Sequence, residues 1–198
     1  RAHGQVFYSP VVEAVARIPT QDLRMSAEAA KVRLNALGFH DEDAGLRHIE
    51  ALTSGTSRAV RIQTALMPAM LAWLADGPSP DHGLLAFRQV SEALGESPWY
   101  LRALRDEGAM AQRLAVVLST SRYAVDVLTR APETVQVLVD DDLTPLSRED
   151  LARQMNAVAR RHHDVEEAVG AIRAVRRREL FRILVADILN VTGIRRIG

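Results

Sequence analysis

The chain contains no cysteine, which excludes a disulfide framework and any thiolate metal site. That usage agrees with a reducing compartment such as the cytoplasm. Lysine is almost absent as well: Lys31 is the only one, against 24 arginines. Aromatic residues make up only 5%. There is no apolar run approaching the roughly 18 residues that a membrane-spanning helix needs. The richest stretch, Ala65 to Ala75, is short and contains Pro68. The start of the chain is polar and shows no signal peptide. Net charge is also missing, since 25 basic residues balance 25 acidic ones. A neutral balance argues against bulk binding to nucleic acid or membrane, although it leaves room for a local basic patch.

Hydrophobic residues make up 47% of the 198, enough for one sizeable core or two small ones. Ala, Leu and Arg, all good helix formers, take the place of the missing aromatics. The short β-branched runs sit inside helical periodicity, so no strand is expected. Helix punctuation is frequent. Pro10 opens a short helix from Ser9 to about Arg17. Ser26 caps the next, which has a face through Ala30, Val32, Leu34 and Leu37 and closes at Gly38. Asp41 opens a third, ending near Thr53. Ser57 precedes a longer run to Ala75 in which Leu66, Met70 and Leu74 recur every four residues, with a kink expected at Pro68. Leu84, Phe87, Val90 and Leu94 form one stripe on a helix from Asp81. Ser97 as a capping serine and Pro98 at the first helical position restart the chain after Gly95, and that helix is expected to stop at Gly108. Further helices are expected over 109–118, 121–130 and 132–139. Asp140 to Pro145 reads as a loop. Ser147 caps the next helix, and His162, His163 and Asp164 mark a break before a long C-terminal helix. The expected fold is all-α: about ten helices with a long last one, no fixed-period repeat and no low-complexity segment. Because the chain lacks an initiator methionine and starts and stops abruptly, it reads as a piece of a larger protein.

Few residues suggest chemistry. Asp140, Asp141 and Asp142 form a run of three aspartates. It reads as a magnesium site or as a solvated loop, and the absence of a neighbouring strand and phosphate turn favours the loop. His162 and His163 are neighbours, and helical neighbours point about 100° apart, so a shared metal is disfavoured. Gly55, Thr56 and Ser57 lack the surroundings of a phosphate turn and read as a cap. No Ser, His and Asp set has a recognisable spacing for nucleophilic catalysis. Trp73 and Trp99 read as core residues. The strongest basic feature is Arg173, Arg176, Arg177, Arg178 and Arg182. It reads as a solvated face with ion pairs, such as Arg176 or Arg182 with Glu179 three residues away, or else as a partner or nucleic-acid surface.

Three long stretches carry a resemblance. LLAFRQVSEALGESPWYLRALRDEGAMAQRLAVVLSTSRYAVDVLTRAPE from Leu84, HIEALTSGTSRAVRIQTALMPAMLAWLAD from His48, and RAVRRRELFRILVADIL from Arg173 together resemble the helical middle region of glutamine synthetase adenylyltransferase in its actinobacterial form. The resemblance implies a parent enzyme with two nucleotidyltransferase domains. One attaches AMP from ATP to a tyrosine of glutamine synthetase, and the other removes it by phosphorolysis. Each carries a Gly-Ser turn followed by an Asp-x-Asp pair holding magnesium. Asp140 to Asp142 match the Asp-x-Asp letters, but no Gly-Ser turn lies suitably upstream, so no catalytic, cofactor or metal residue is carried over. ATP and magnesium are implied for the parent enzyme and not for this segment.

The resemblance implies three regions. Residues 1–54 form a helical tail after the first catalytic domain, 55–145 a central bundle, and 146–198 long helices leading into the second catalytic half. The implied partners are the flanking catalytic domains, glutamine synthetase and a PII signal protein, with no nucleic acid and no membrane. The function expected is a non-catalytic regulatory or connecting segment in nitrogen metabolism. The alternative is a nucleic-acid-binding or protein-interaction module using the arginine-rich helix 173–182. Because residues 180–189 are apolar almost all round, a domain-docking surface is expected at Arg178, Glu179, Phe181, Arg182, Leu184 and Ile188, with Arg178 and Glu179 at its rim.

Overall fold

A computed structural model describes residues 27–95, 97–140 and 142–195, with side chains as far as Leu189. The described residues form nine α-helices and one 3-10 helix, with no strand. The all-α expectation holds. The helix expected from Ser9 and the cap expected at Ser26 lie outside the described residues.

The local reasons for the helices are visible at their ends. In α1 (Ala27–Ala36), the chain leaves through Gly38, whose φ of +93° favours glycine, and Phe39 N–H donates back to the Leu34 carbonyl at 3.1 Å. Asp41 caps α2 (Glu42–Thr53) by accepting from Ala44 N–H, and Ser57 caps α3 (Arg58–Ala75) by accepting from Val60 N–H. Pro68 lies inside α3 without breaking it. Next come α4 (Pro80–Leu94), α5 (Pro98–Asp106) and α6 (Gly108–Thr120). Ser97 occupies the N-cap position of α5, but its hydroxyl makes no capping bond. Gly108, expected as a stop, instead begins α6. After α7 (Arg122–Arg130), residues Pro132–Val139 wind as a 3-10 helix. Ser147 then caps α8 (Arg148–Ala159), and the break expected around His162 separates it from α9 (Val165–Arg195).

Contacts divide the described residues into two compact units, one up to residue 122 and one from residue 123. In the first, α4 packs on α6, α2 and α3, while α3 also packs on α2, α5 and α6. The stripe Leu84, Phe87, Val90 and Leu94 is buried throughout, and Met70, Leu74, Leu114 and Leu118 meet it in the core. Burying each such side chain contributes about 1.5–3 kcal/mol. Tyr100 is wholly buried, and its hydroxyl lies 3.0 Å from the Ser91 hydroxyl. That bond meets the need of a polar group inside an apolar core, while burial pushes the Tyr100 pKa well up. Sequence periodicity fails at two places. Val32 is exposed although it falls on the expected α1 face. Leu66 is only partly buried, and Met67 beside it takes the core position. Trp73 and Trp99 are likewise only partly buried, Trp99 meeting Tyr100 edge to face.

In the second unit, α9 packs along α8 and on the 3-10 helix. Phe181, Val185 and Ile188 of α9 are buried, as are Val135, Val137 and Leu138 of the 3-10 helix.

Two glycines predict opposite outcomes. A Cβ on Gly83 in α4 would stand 2.7 Å from Leu74 Cδ2 and 3.1 Å from Ser119 Cα. Gly83→Ala should therefore destabilise its unit by about 1–3 kcal/mol through overpacking. Gly170 in α9 has open space at that position, so Gly170→Ala should stabilise by about 0.5–1 kcal/mol. Urea unfolding followed by circular dichroism reads both, and a stabilised Gly83→Ala chain would contradict the close approach of α4 to α3 and α6.

Candidate functional site

The richest polar arrangement lies where the segment after the 3-10 helix meets α9. Glu179 is buried at 5% exposure, and a buried carboxylate is tolerated only when paired and hydrogen-bonded. It accepts from Leu146 N–H at 2.6 Å. Arg182 Nε stands 3.5 Å from Glu179 Oε2, an ion-pair distance at which the buried Nε makes no hydrogen bond. The outer nitrogens of Arg182 reach the other way. One donates to the Asp142 carbonyl at 3.0 Å and the other to Asp140 Oδ2 at 2.6 Å. Asp142 Oδ1 accepts from Thr144 N–H at 2.8 Å, and the Thr144 side chain first, then this N–H, hold its carboxyl below the usual carboxylate range. Residues 140, 142 and 146 are thus strapped to one turn of α9.

The strap sorts the candidates read from sequence. Of the two pairings open to Glu179, Arg182 makes it and Arg176 does not. Asp140 and Asp142 each turn one carboxylate oxygen to a protein donor; Asp141 lies outside the described residues. Among the described residues, no group of three His, Asp or Glu is placed to hold a metal. His162 lies 3.3 Å from Glu167, and both histidines are exposed at the junction before α9.

The expected docking set is divided. Phe181, Ile188 and Glu179 are buried inside this chain, so Glu179 is no rim residue, and Arg182 keeps only 14% side-chain exposure. Leu184 is half-buried and Arg178 exposed. What α9 presents outward is a different face: Val165, Val169, Leu180 and Ile183 are 77%, 38%, 42% and 46% exposed. Sequence reading places Val165, Val169 and Ile172 on one apolar face. It does not show that much of this face stays open, with Ile172 half-buried between the exposed valines and Leu180.

A small pocket in the first unit is lined by Asp41, His48, Asp81, His82 and Leu85. Asp81 is committed there, since its carboxylate accepts from His40 and Asp41 N–H at 3.0–3.2 Å. Nothing local in the sequence signals this contact, which spans about forty residues. His48 Nδ1 lies 3.3 Å from an Arg88 nitrogen, which is compatible with a neutral ring accepting from the guanidinium. Burial first, and then Arg88, holds the His48 pKa below 6.5.

The described residues thus define an all-helical segment in which several carboxylates tie loops to helices. Comparison with known proteins gives the family. Residues 111–198 match the profile of the glutamate-ammonia ligase adenylyltransferase family. The whole chain is 99% identical to part of the bifunctional glutamine synthetase adenylyltransferase/adenylyl-removing enzyme of Cutibacterium acnes, spanning 20% of that protein. The enzyme of the same name from Streptomyces coelicolor is 52% identical over 98% of this chain and 20% of its own length, and that of Mycolicibacterium smegmatis is 44% identical over 98% and 20%. The chain belongs to this family and spans about one fifth of the length of these relatives. No solved structure matches it. Among the described residues, no helix is long and apolar enough to cross a membrane.

Two outcomes test the site. Arg182→Met leaves Glu179 buried without its cation and should cost about 3 kcal/mol, whereas Asp140→Asn, at the exposed end of the strap, should cost about 1 kcal/mol or less. Equal losses in urea unfolding would show that the strap has no buried centre. For His48, the lowered pKa means that the unfolded chain takes up the proton first. Its contribution is complete above pH 6.5 and declines as the pH falls. The unfolding midpoint should therefore drop between about pH 7 and pH 5, and drop less in His48→Gln.

Proposed function

We propose that this chain is a non-catalytic connecting segment of a bifunctional cytoplasmic enzyme that attaches AMP to glutamine synthetase and removes it. The observation that carries this reading is a match along the whole chain to one fifth of enzymes bearing that double name. The commitment of Asp140 and Asp142 to Arg182 and Thr144 supports it, because nucleotidyl transfer needs carboxylates free to hold metal ions. In this reading, residues 1–54 follow the first catalytic domain and 146–198 lead into the second. ATP, magnesium, glutamine synthetase and a PII signal protein are then ligands and partners of the whole enzyme. The helices set the spacing of the two active sites and carry part of the response to glutamine or PII. The nucleic-acid alternative is less favoured, because the formal charge is zero and apolar side chains interrupt the arginines of α9.

The test is made in the full-length enzyme. Asp140→Asn with Asp142→Asn, and separately His162→Ala with His163→Ala, should leave both AMP transfer and AMP removal within about threefold of the unchanged protein. A loss of about 100-fold or more in either reaction, the scale of removing a transition-state contact, would show that the segment supplies catalytic groups.

A further inference from the structure

We infer that the outward face of α9, carrying Val169, Arg173, Arg176, Arg177, Leu180 and Ile183, docks onto a carboxylate-bearing apolar surface elsewhere in the same full-length polypeptide. The inference rests on the connecting-segment reading above and adds where the segment makes contact and with what chemistry.

The geometry begins with spacing. Val165, Val169, Ile172, Arg176, Leu180 and Ile183 follow steps of four, three, four, four and three, which keeps them on one helical face. Arg173 and Arg177 stand along one margin of it. The opposite face is already occupied, since Phe181, Val185 and Ile188 are buried. Exposed apolar side chains at both ends of one face mark an interaction surface more than scattered single residues do.

The arginines say what the partner offers. Arg182, the fifth of the basic run, is spent on Asp140, Glu179 and the Asp142 carbonyl. Among the described residues, Arg173, Arg176 and Arg177 are exposed and enter no ion pair or hydrogen bond. Three unpaired guanidinium groups between two apolar patches suit a surface with apolar knobs and interspersed Asp or Glu, which arginine binds through two parallel hydrogen bonds. A second copy fits less well, because pairing centred on this cluster would set arginine against arginine. A nucleic acid offers phosphates but nothing for Leu180 and Ile183. The full-length relatives supply the occupant's location: four fifths of their length lies outside the stretch this chain matches.

The experiment uses the full-length enzyme and needs no catalysis. Ile183→Cys reports on the face, and Gln154→Cys, on exposed α8, is the control. Peptide mass spectrometry measures the labelling of each by a thiol reagent. Ile183→Cys should label roughly tenfold more slowly than the control, a protection factor for a contact of a kcal/mol or so. Adding Arg173→Glu, Arg176→Glu and Arg177→Glu should remove most of that protection. In a second variant, Arg176→Lys, carbodiimide should join the new amine to an Asp or Glu outside residues 1–198 of the same polypeptide. Labelling as fast as the control overturns the inference, as does protection that charge reversal leaves intact. Protection lost on dilution assigns the face to a second copy, protection lost on nuclease treatment assigns it to nucleic acid, and a cross-link within residues 1–198 places the occupant inside this chain; each overturns it. None of these readings bears on whether Asp140 and Asp142 are needed for AMP transfer, so the two ideas fail separately.

Discussion

Glu179 is a carboxylate withdrawn from water, and much of the second unit is arranged around that constraint. It requires a donor and a counter-charge, which come from Leu146 N–H and the Arg182 guanidinium. Meeting that need draws the segment between the 3-10 helix and α8 onto α9. Arg182 is then fixed from both sides, since its outer nitrogens meet Asp140 and the Asp142 carbonyl. With that turn fixed, the rotation of α9 about its axis is settled. Phe181, Val185 and Ile188 face inward, and Leu180 and Ile183 stay out.

The first unit depends on a different contact. Gly83 lets α4 approach Leu74 on α3 and Ser119 on α6 more closely than any larger residue permits. Around that approach lie Leu84, Phe87, Leu114 and Leu118, all fully buried. The carboxylate of Asp81, the second residue of the same helix, holds the α1–α2 connection through two backbone N–H groups. One helix therefore carries both the tight packing and the tie to the preceding loop.

In both units some acidic side chains hold loops and caps. Asp41, Asp81, Asp142 and Glu179 all accept from backbone N–H groups of this chain. Such bonds fix the loops against the helices they precede or follow.

The sequence by itself determined the helices, because caps and breakers act on neighbours. Asp41, Ser57, Ser147 and Gly38 do locally what their residue types dictate, and the stripe Leu84, Phe87, Val90 and Leu94 is buried as its period requires. The long resemblance also placed the chain in its family. Tertiary structure alone decided which apolar residues are covered. A period of 3.6 identifies a face without saying whether anything lies against it, so Val32 stands exposed on its expected apolar face, and Val165 and Ile183 are exposed as well. It also decided that Glu179 pairs with Arg182 and not Arg176, and that Asp140 joins them. Both arginines lie three residues from the glutamate, and only a loop folded back from about forty residues earlier breaks that tie.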